Sequence, residues 1–445
     1  MRKHLLYWVF FTQTFLKRHT KQIVFAALTG FLITLFTFQV YPYLSMRLER
    51  KHYRIGIIGN YNINNLPLSI QNKISFGLTA ILPNGEATEA ASLSYTVENR
   101  LIYKFKLKPN LKWHDGKQLT AGDINYRIKG AELKALDNYT LEINLKEPYA
   151  PLPIILSQPL FREKLNGLGL YKVVRLIKVP GSDQIAEMTI VPELRELASE
   201  TYRFYTTKKD AILAFKLGEI DILEDLDSIG ELENWKNLVI SEKTLYNQVI
   251  TLFYNLKKTE FKEKEVRQAF SYAIPPFGTY EKAASPISPF SWAYSQKIRL
   301  YQYDEETARK ILSKSPLATS SANLVLTAPI SMLSLAQHLV DAWAKVGVPV
   351  RIKVDSGIPG EYQFLLRTLP IPPDPDQYHL WQSTAENTNL ANYSSAKIDK
   401  LLEDGRKTLD IEVRKKIYAD FQFYLVDDAP AIFLYYPKSY QVTRK

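Results

Sequence analysis

The chain has 445 residues, enough for one large two-lobed body or two ordinary domains, and 46% hydrophobic with 23% charged residues is a globular composition. The net charge of +11 is concentrated: residues 1–54 carry nine Lys or Arg and one acid, a net +8, which leaves +3 for the other 391 residues. Charge placed beside an apolar stretch suits anionic lipid and argues against a nucleic-acid face, while the absence of cysteine excludes disulfides, thiolate catalysis, Cys-ligated metals and an acylated-cysteine anchor.

Ile23 to Met46 contains no charged residue. Roughly 20 apolar residues span a bilayer core, so residues 1–50 read as a tail and anchor with one transmembrane helix over about 23–43. Tyr41 and Tyr43 would sit at the interface, and Leu5 to Leu16 along the membrane surface. A cleaved signal peptide is the competing reading, but Gln39 to Tyr43 offers no small-x-small cleavage site, which favours a retained anchor. Five basic residues precede the span and four follow it, so positive charge barely orients it.

Tyr53 to Gly59 reads as a first strand. Leu101 to Lys108 alternates, with Tyr103, Phe105 and Leu107 on one face and Lys104, Lys106 and Lys108 on the other, the period of a half-buried strand. Tyr139 to Leu145 repeats it after an Asp137-Asn138 turn. Trp113 to Ile124 reads as a strand, a tight turn at Asp115-Gly116 and a helix start with Thr120 as N-cap and Asp123 closing a capping box. Helical spacing follows over Glu265–Ile274, Asp304–Ser313, Ser334–Val346 and Ser395–Val426, with a strand at Val348–Val354.

Beyond this local reading, Tyr103-Lys104-Phe105-Lys106-Leu107 leading into Trp113, Asp115, Gly116, Thr120 and Asp123 resembles the signature corner of the family 5 extracellular solute-binding proteins, the peptide, dipeptide and nickel receptors of ABC importers. Gln118 stands where that pattern has proline. The resemblance continues in family order through Asn166 to Lys172, Leu217 to Ile222, Tyr254-Asn255, Phe261 to Ile274, Tyr303-Asp304 and Asp428 to Ile432. It departs at the short Asp123–Ala131 segment and at Pro275-Pro276.

The resemblance implies an α/β, two-lobed fold of the type II periplasmic-binding-protein kind with mixed sheets. Lobe I would take 52–255 with the tail 431–445, and lobe II 256–430. It implies no catalysis and no cofactor, and as partners a peptide or similar solute and ABC permease subunits. The body would then lie on the extracytoplasmic face, with residues 1–20 inside the cell. An acid just before the Asp374-Pro375-Asp376 turn pairs with the ligand amine in many peptide receptors. Leu369 to Pro373 offers none. Asp374 and Asp376 are candidate substitutes, beside the plainer reading of a turn with capping carboxylates, and Tyr378 and Trp381 are candidate aromatic walls.

No GxSxG, HExxH or P-loop pattern occurs, and three of the six histidines lie in or beside the anchor. His114 inside the corner and His338 on a helix read as structural. A membrane-tethered sensor or scaffold on the same fold, without a permease, is the alternative function.

Overall fold

The computed structural model describes residues 2–48, 51–318 and 323–445; within the N-terminal helix the side chains of residues 2–7, 9, 10, 12, 23 and 40–48 lie outside the description. Two large sheets organise the body. The seven-stranded sheet runs Leu238–Thr244, Lys438–Arg444, Ile222–Leu226, His52–Ile58, Ser199–Tyr205, Ile185–Pro192, Tyr171–Lys178 in spatial order. The five-stranded sheet runs Val350–Val354, Leu324–Ala328, Phe364–Pro370, Gln248–Tyr254, Ala431–Tyr435. A four-stranded antiparallel sheet over residues 92–145 and a hairpin of Thr79–Ile81 with Ala87–Glu89 complete the first lobe.

The five-stranded sheet is buried on both faces, and its period of two sorts residues between them. Ile250, Leu252, Tyr254, Phe364 and Leu366 pack under the helices Lys264–Tyr272 and Leu333–Lys345. Val249, Phe253, Leu365 and Leu369 pack with Trp381, Tyr418 and Phe421 on the other side. Phe364 anchors the first face: Phe261, Trp343, Phe270 and Tyr254 lie 4.7, 4.9, 5.2 and 5.6 Å from its ring centre. Each such buried ring contributes about 1.5–3 kcal/mol by leaving water.

The chain passes between the sheets twice, at 245–247 and 436–437, and the passages touch where the Leu245 N–H donates to the Pro437 carbonyl at 2.8 Å. Gln248–Tyr254 and Ala431–Tyr435 therefore belong to the second sheet, which moves the lobe boundaries from the expected 255 and 431. Both are almost entirely buried runs, and a run buried on both faces carries no sequence mark of which sheet it joins.

The alternating strands form as expected, at Ile102–Leu107 and Thr140–Leu145, with Tyr103, Phe105 and Leu107 buried. The corner differs in one respect. Gly116 takes φ +85°, and Asp123 accepts from the backbone N–H and hydroxyl of Thr120 at 2.9 Å each. The helix it opens, however, is a single 3-10 turn, Ala121–Asp123. The expected run Ser395–Val426 is two helices, Ala396–Lys407 and Ile411–Asp428, with Asp410 capping the second through the Val413 N–H.

Residues Arg2–Leu48 form one long helix with a non-helical backbone at His19. Among the described residues no single helix is long and apolar enough to cross a membrane; Gln13–Gln22 and Val24–Gln39, bent by 57°, meet that requirement only together. Phe25, Phe31, Ile33, Phe36 and Phe38 are all exposed. Tyr41 and Tyr43, expected at the interface, have side chains outside the described ones.

Candidate functional site between the lobes

Strand direction locates the site. Lys438–Arg444 leaves the hinge and runs antiparallel to Ile222–Leu226, which therefore runs towards the hinge, as do its parallel neighbours His52–Ile58 and Ser199–Tyr205. In lobe II, Gln248–Tyr254 leaves the hinge with Gln248 opposite Pro370, so Phe364–Pro370 and the parallel Leu324–Ala328 and Val350–Val354 also end there. The carboxyl ends of both sets of parallel strands thus converge on the hinge, and ligands of open α/β sheets bind outside such ends.

On lobe I these ends carry Asn60, Tyr61, Thr206 and Asp225. The Gly59 N–H donates to the Tyr205 carbonyl at 2.8 Å, Thr206 donates to the Asn60 amide oxygen at 3.2 Å, and Asp225 holds φ +56°. On lobe II they carry Ile330, Val354 and Ile358, exposed by 63, 50 and 61%. Three large exposed apolar side chains at adjacent strand ends are a wall awaiting contact. None of these positions had a mark in the sequence; what they share is a place in, or within a few residues after, the carboxyl end of a parallel strand.

The candidate site residues occupy a neighbouring place, the seam where lobe I rests on lobe II. Asp374 receives two bonds from Arg414, at 2.8 and 3.2 Å, and Asp376 two from Arg406, at 2.8 and 3.0 Å. Each also accepts a backbone N–H two residues on, from Asp376 and Tyr378 respectively, at 2.9 and 3.1 Å. Burial pushes the Asp374 carboxyl up while the Arg414 guanidinium pulls it back. The paired geometry is that of a carboxylate. Tyr378 is half-buried, with the Arg406 guanidinium 4.1 Å from its ring centre.

Trp381 is a correction. It is 1% exposed, sits 6.0 Å from the rings of Phe253 and Phe433, and donates its indole N–H to Gln377 at 2.8 Å, so it is a core residue and not a cleft wall. Apolar packing on both sides outweighs any demand of its single polar atom.

Lobe I meets this turn directly. The Ala150 N–H donates to the Arg406 carbonyl at 2.8 Å, and the Tyr149 ring lies 5.4 Å from the Arg406 guanidinium. Burial, then the charge of Asp376, pushes the Tyr149 hydroxyl up to about 12. The Trp292 N–H donates to the Asn84 carbonyl at 2.8 Å, and a Cβ on Gly85 would stand 2.7 Å from the Pro373 carbonyl oxygen. Arg406 and Arg414 were not legible beside their aspartates, being 30 and 40 residues away.

In the corner, Trp113 is buried, 2% exposed, and His114 is held by backbone bonds. His114 bonds through Nε2 to the Gly169 carbonyl oxygen at 2.8 Å and accepts the Gly167 N–H at Nδ1 at 3.3 Å. Among the described residues no cluster of three His, Asp or Glu side chains is arranged to hold a metal ion.

Residues 88–390 match the profile of the bacterial extracellular solute-binding proteins, family 5. The oligopeptide-binding protein AppA of Bacillus subtilis is 23% identical, with 77% of this chain and 77% of that protein covered. The dipeptide-binding protein of Escherichia coli is 22% identical, at 86% of each. Among solved structures, the ABC transporter substrate-binding protein CtaP of Listeria monocytogenes superposes with a TM-score of 0.75 at 23% identity, covering 88% of this chain and 94% of that one. The same AppA in complex with a nonapeptide gives 0.67 at 19% identity, covering 89% and 95%. The chain belongs to the family 5 bacterial extracellular solute-binding proteins.

Proposed function

We propose that the chain is a membrane-tethered receptor that closes its two lobes over a peptide or similar extended solute and delivers it to an ABC importer. The observation that carries this reading is the convergence of the parallel-strand ends of both lobes on a two-passage hinge, with Ile330, Val354 and Ile358 exposed at the lobe II ends. A peptide main chain would bond to backbone and amide groups near Asn60 and Thr206, and its side chains would lie on the apolar lobe II wall. Asp374, Asp376 and Trp381 then act as support for the seam. With no acid from Leu369 to Pro373, recognition does not hinge on a free amine.

The tether is the N-terminal helix, supported by the uncharged run from Ile23 to Met46 and by five exposed Phe and Ile side chains between Phe25 and Phe38. Lys17, Arg18 and Lys21 flank the non-helical residue His19 in the chain, where anionic headgroups would favour them. Residues 50–445 lie outside the cell in this reading. The test is mass spectrometry of small molecules released from the full chain purified in detergent. An extended peptidic or apolar solute is the expected finding. An empty chain that binds no peptide in millimolar excess would move the tethered sensor or scaffold ahead.

A further inference from the structure

Lobe II holds a second cavity of about 90 Å³, beside the edge strand Ala431–Tyr435 and lined by lobe II residues alone. Its wall includes Pro275, Phe277, Tyr280, Tyr301 and Leu434. The lining groups that carry polar atoms mostly have internal partners. The Tyr301 hydroxyl donates to the Val426 carbonyl at 2.9 Å, and that of Tyr303 to Glu305 at 2.8 Å. Arg299 donates to Asp427 at 3.0 Å and to the Tyr272 hydroxyl at 3.1 Å.

Of the two lining cations, Arg299 is ion-paired and Lys282 is not. The Lys282 ammonium donates to the Tyr301 carbonyl, and among the described residues it makes no ion pair with a carboxylate. The residue as a whole is exposed, so it marks the mouth of the cavity. An apolar chamber whose mouth holds one cation without a counter-ion, the other being ion-paired, matches a ligand with an apolar body and a single carboxylate.

We propose that this cavity binds a small amphipathic carboxylate, with its apolar body against Phe277, Tyr301 and Leu434 and its carboxylate on Lys282. A dry cavity of about 150 Å³ takes benzene, so this smaller one fits a branched body of about four or five carbons. None of its lining residues is among the strand-end residues of the interlobe cleft.

The test is calorimetric titration of the full chain in detergent with isovalerate and with its neutral isostere isovaleramide. Isovalerate should bind, and isovaleramide should bind about tenfold more weakly. Lys282→Gln keeps a donor for the Tyr301 carbonyl and removes the charge. It should bring isovalerate down to the level of the amide and leave the amide unchanged. Ala284→Phe should abolish both by filling the chamber. Absence of isovalerate binding in millimolar excess, equal binding of acid and amide, or binding untouched by Lys282→Gln would each overturn the proposal. Lys282 lies at an exposed position, so loss of folding does not stand in the way of that variant.

Discussion

Replacing Asp374 by asparagine distinguishes a seam residue from a ligand residue. The side chains of Asp374 and Arg414 are 9 and 7% exposed, and two hydrogen bonds join them. Beyond that pair, Arg414 donates its Nε to the Gly405 carbonyl at 2.9 Å and lies 5.2 and 5.5 Å from the ring centres of Trp292 and Tyr418, contacts that carry no counter-charge. An asparagine in place of Asp374 would accept one bond and leave the guanidinium buried without a counter-charge. Breaking one side of such a pair costs about 3–5 kcal/mol, a large part of the roughly 5–15 kcal/mol that holds a domain together. Asp376→Asn should cost less, about 1–2 kcal/mol, because Arg406 is 27% exposed and water screens it. Removing both charges, Asp374→Leu with Arg414→Met, should recover most of the loss. Urea denaturation of the full chain in detergent, followed by tryptophan fluorescence, gives the stabilities, and titration of each folded variant with the co-purified solute gives the affinities. An Asp374→Asn protein as stable as the parent but unable to bind solute would refute the reasoning and return Asp374 to the ligand.

Three further outcomes follow from single contacts. Gly116→Val should destabilise the body by about 2 kcal/mol or more, since φ +85° is a left-handed backbone that a β-branched residue resists although nothing crowds its Cβ; an unchanged melting temperature would contradict it. Gly85→Ala combines φ +86° with the close Pro373 carbonyl, and should loosen the seam, seen as faster proteolytic cleavage between residues 82 and 86. The hydrogen bonds from Arg54 hold the Asp221 carboxyl below its usual range. Its stabilising contribution is therefore present above the ordinary carboxylate pKa and lost as pH falls through the lowered one. The stability gap between the parent and Asp221→Asn should narrow over that acid range; a gap independent of pH would exclude the ion pair as its source.

Local pattern carried much of the fold. The alternation at Tyr103, Phe105 and Leu107 follows directly from one buried face, and Asp115-Gly116 from a turn that needs a left-handed residue. Two of the distant family motifs also acquire a shared physical cause. Arg267 is buried and donates to the carbonyls of Phe261, Lys262, Asp428 and Ala429, so the Val266-Arg267-Gln268-Ala269 helix caps the end of Ile411–Asp428, where Ala429 turns left-handed at φ +48°. Long-range partnerships were not legible. The ion pairs of Asp374 and Asp376, the burial of Trp381 and the sheet to which Gln248–Tyr254 belongs depend on which segments meet in space. Short helical pattern also overran its limits: the turn opened at Thr120 ends at Asp123, and Asp410 caps a new helix within Ser395–Val426.

Closure of the lobes is the central claim, and an interlobe distance tests it most directly. The chain has no cysteine, so cysteines introduced at Lys209, in the first turn of Lys208–Leu217, and at Ser334, in the first turn of Leu333–Lys345, take two labels uniquely. Both positions are exposed and lie at the hinge-facing ends of their lobes. Energy transfer or dipolar spectroscopy between the labels should report a shorter distance when the co-purified solute is added back to the emptied full chain. A distance that stays fixed at saturating solute would contradict a receptor that works by closing its lobes.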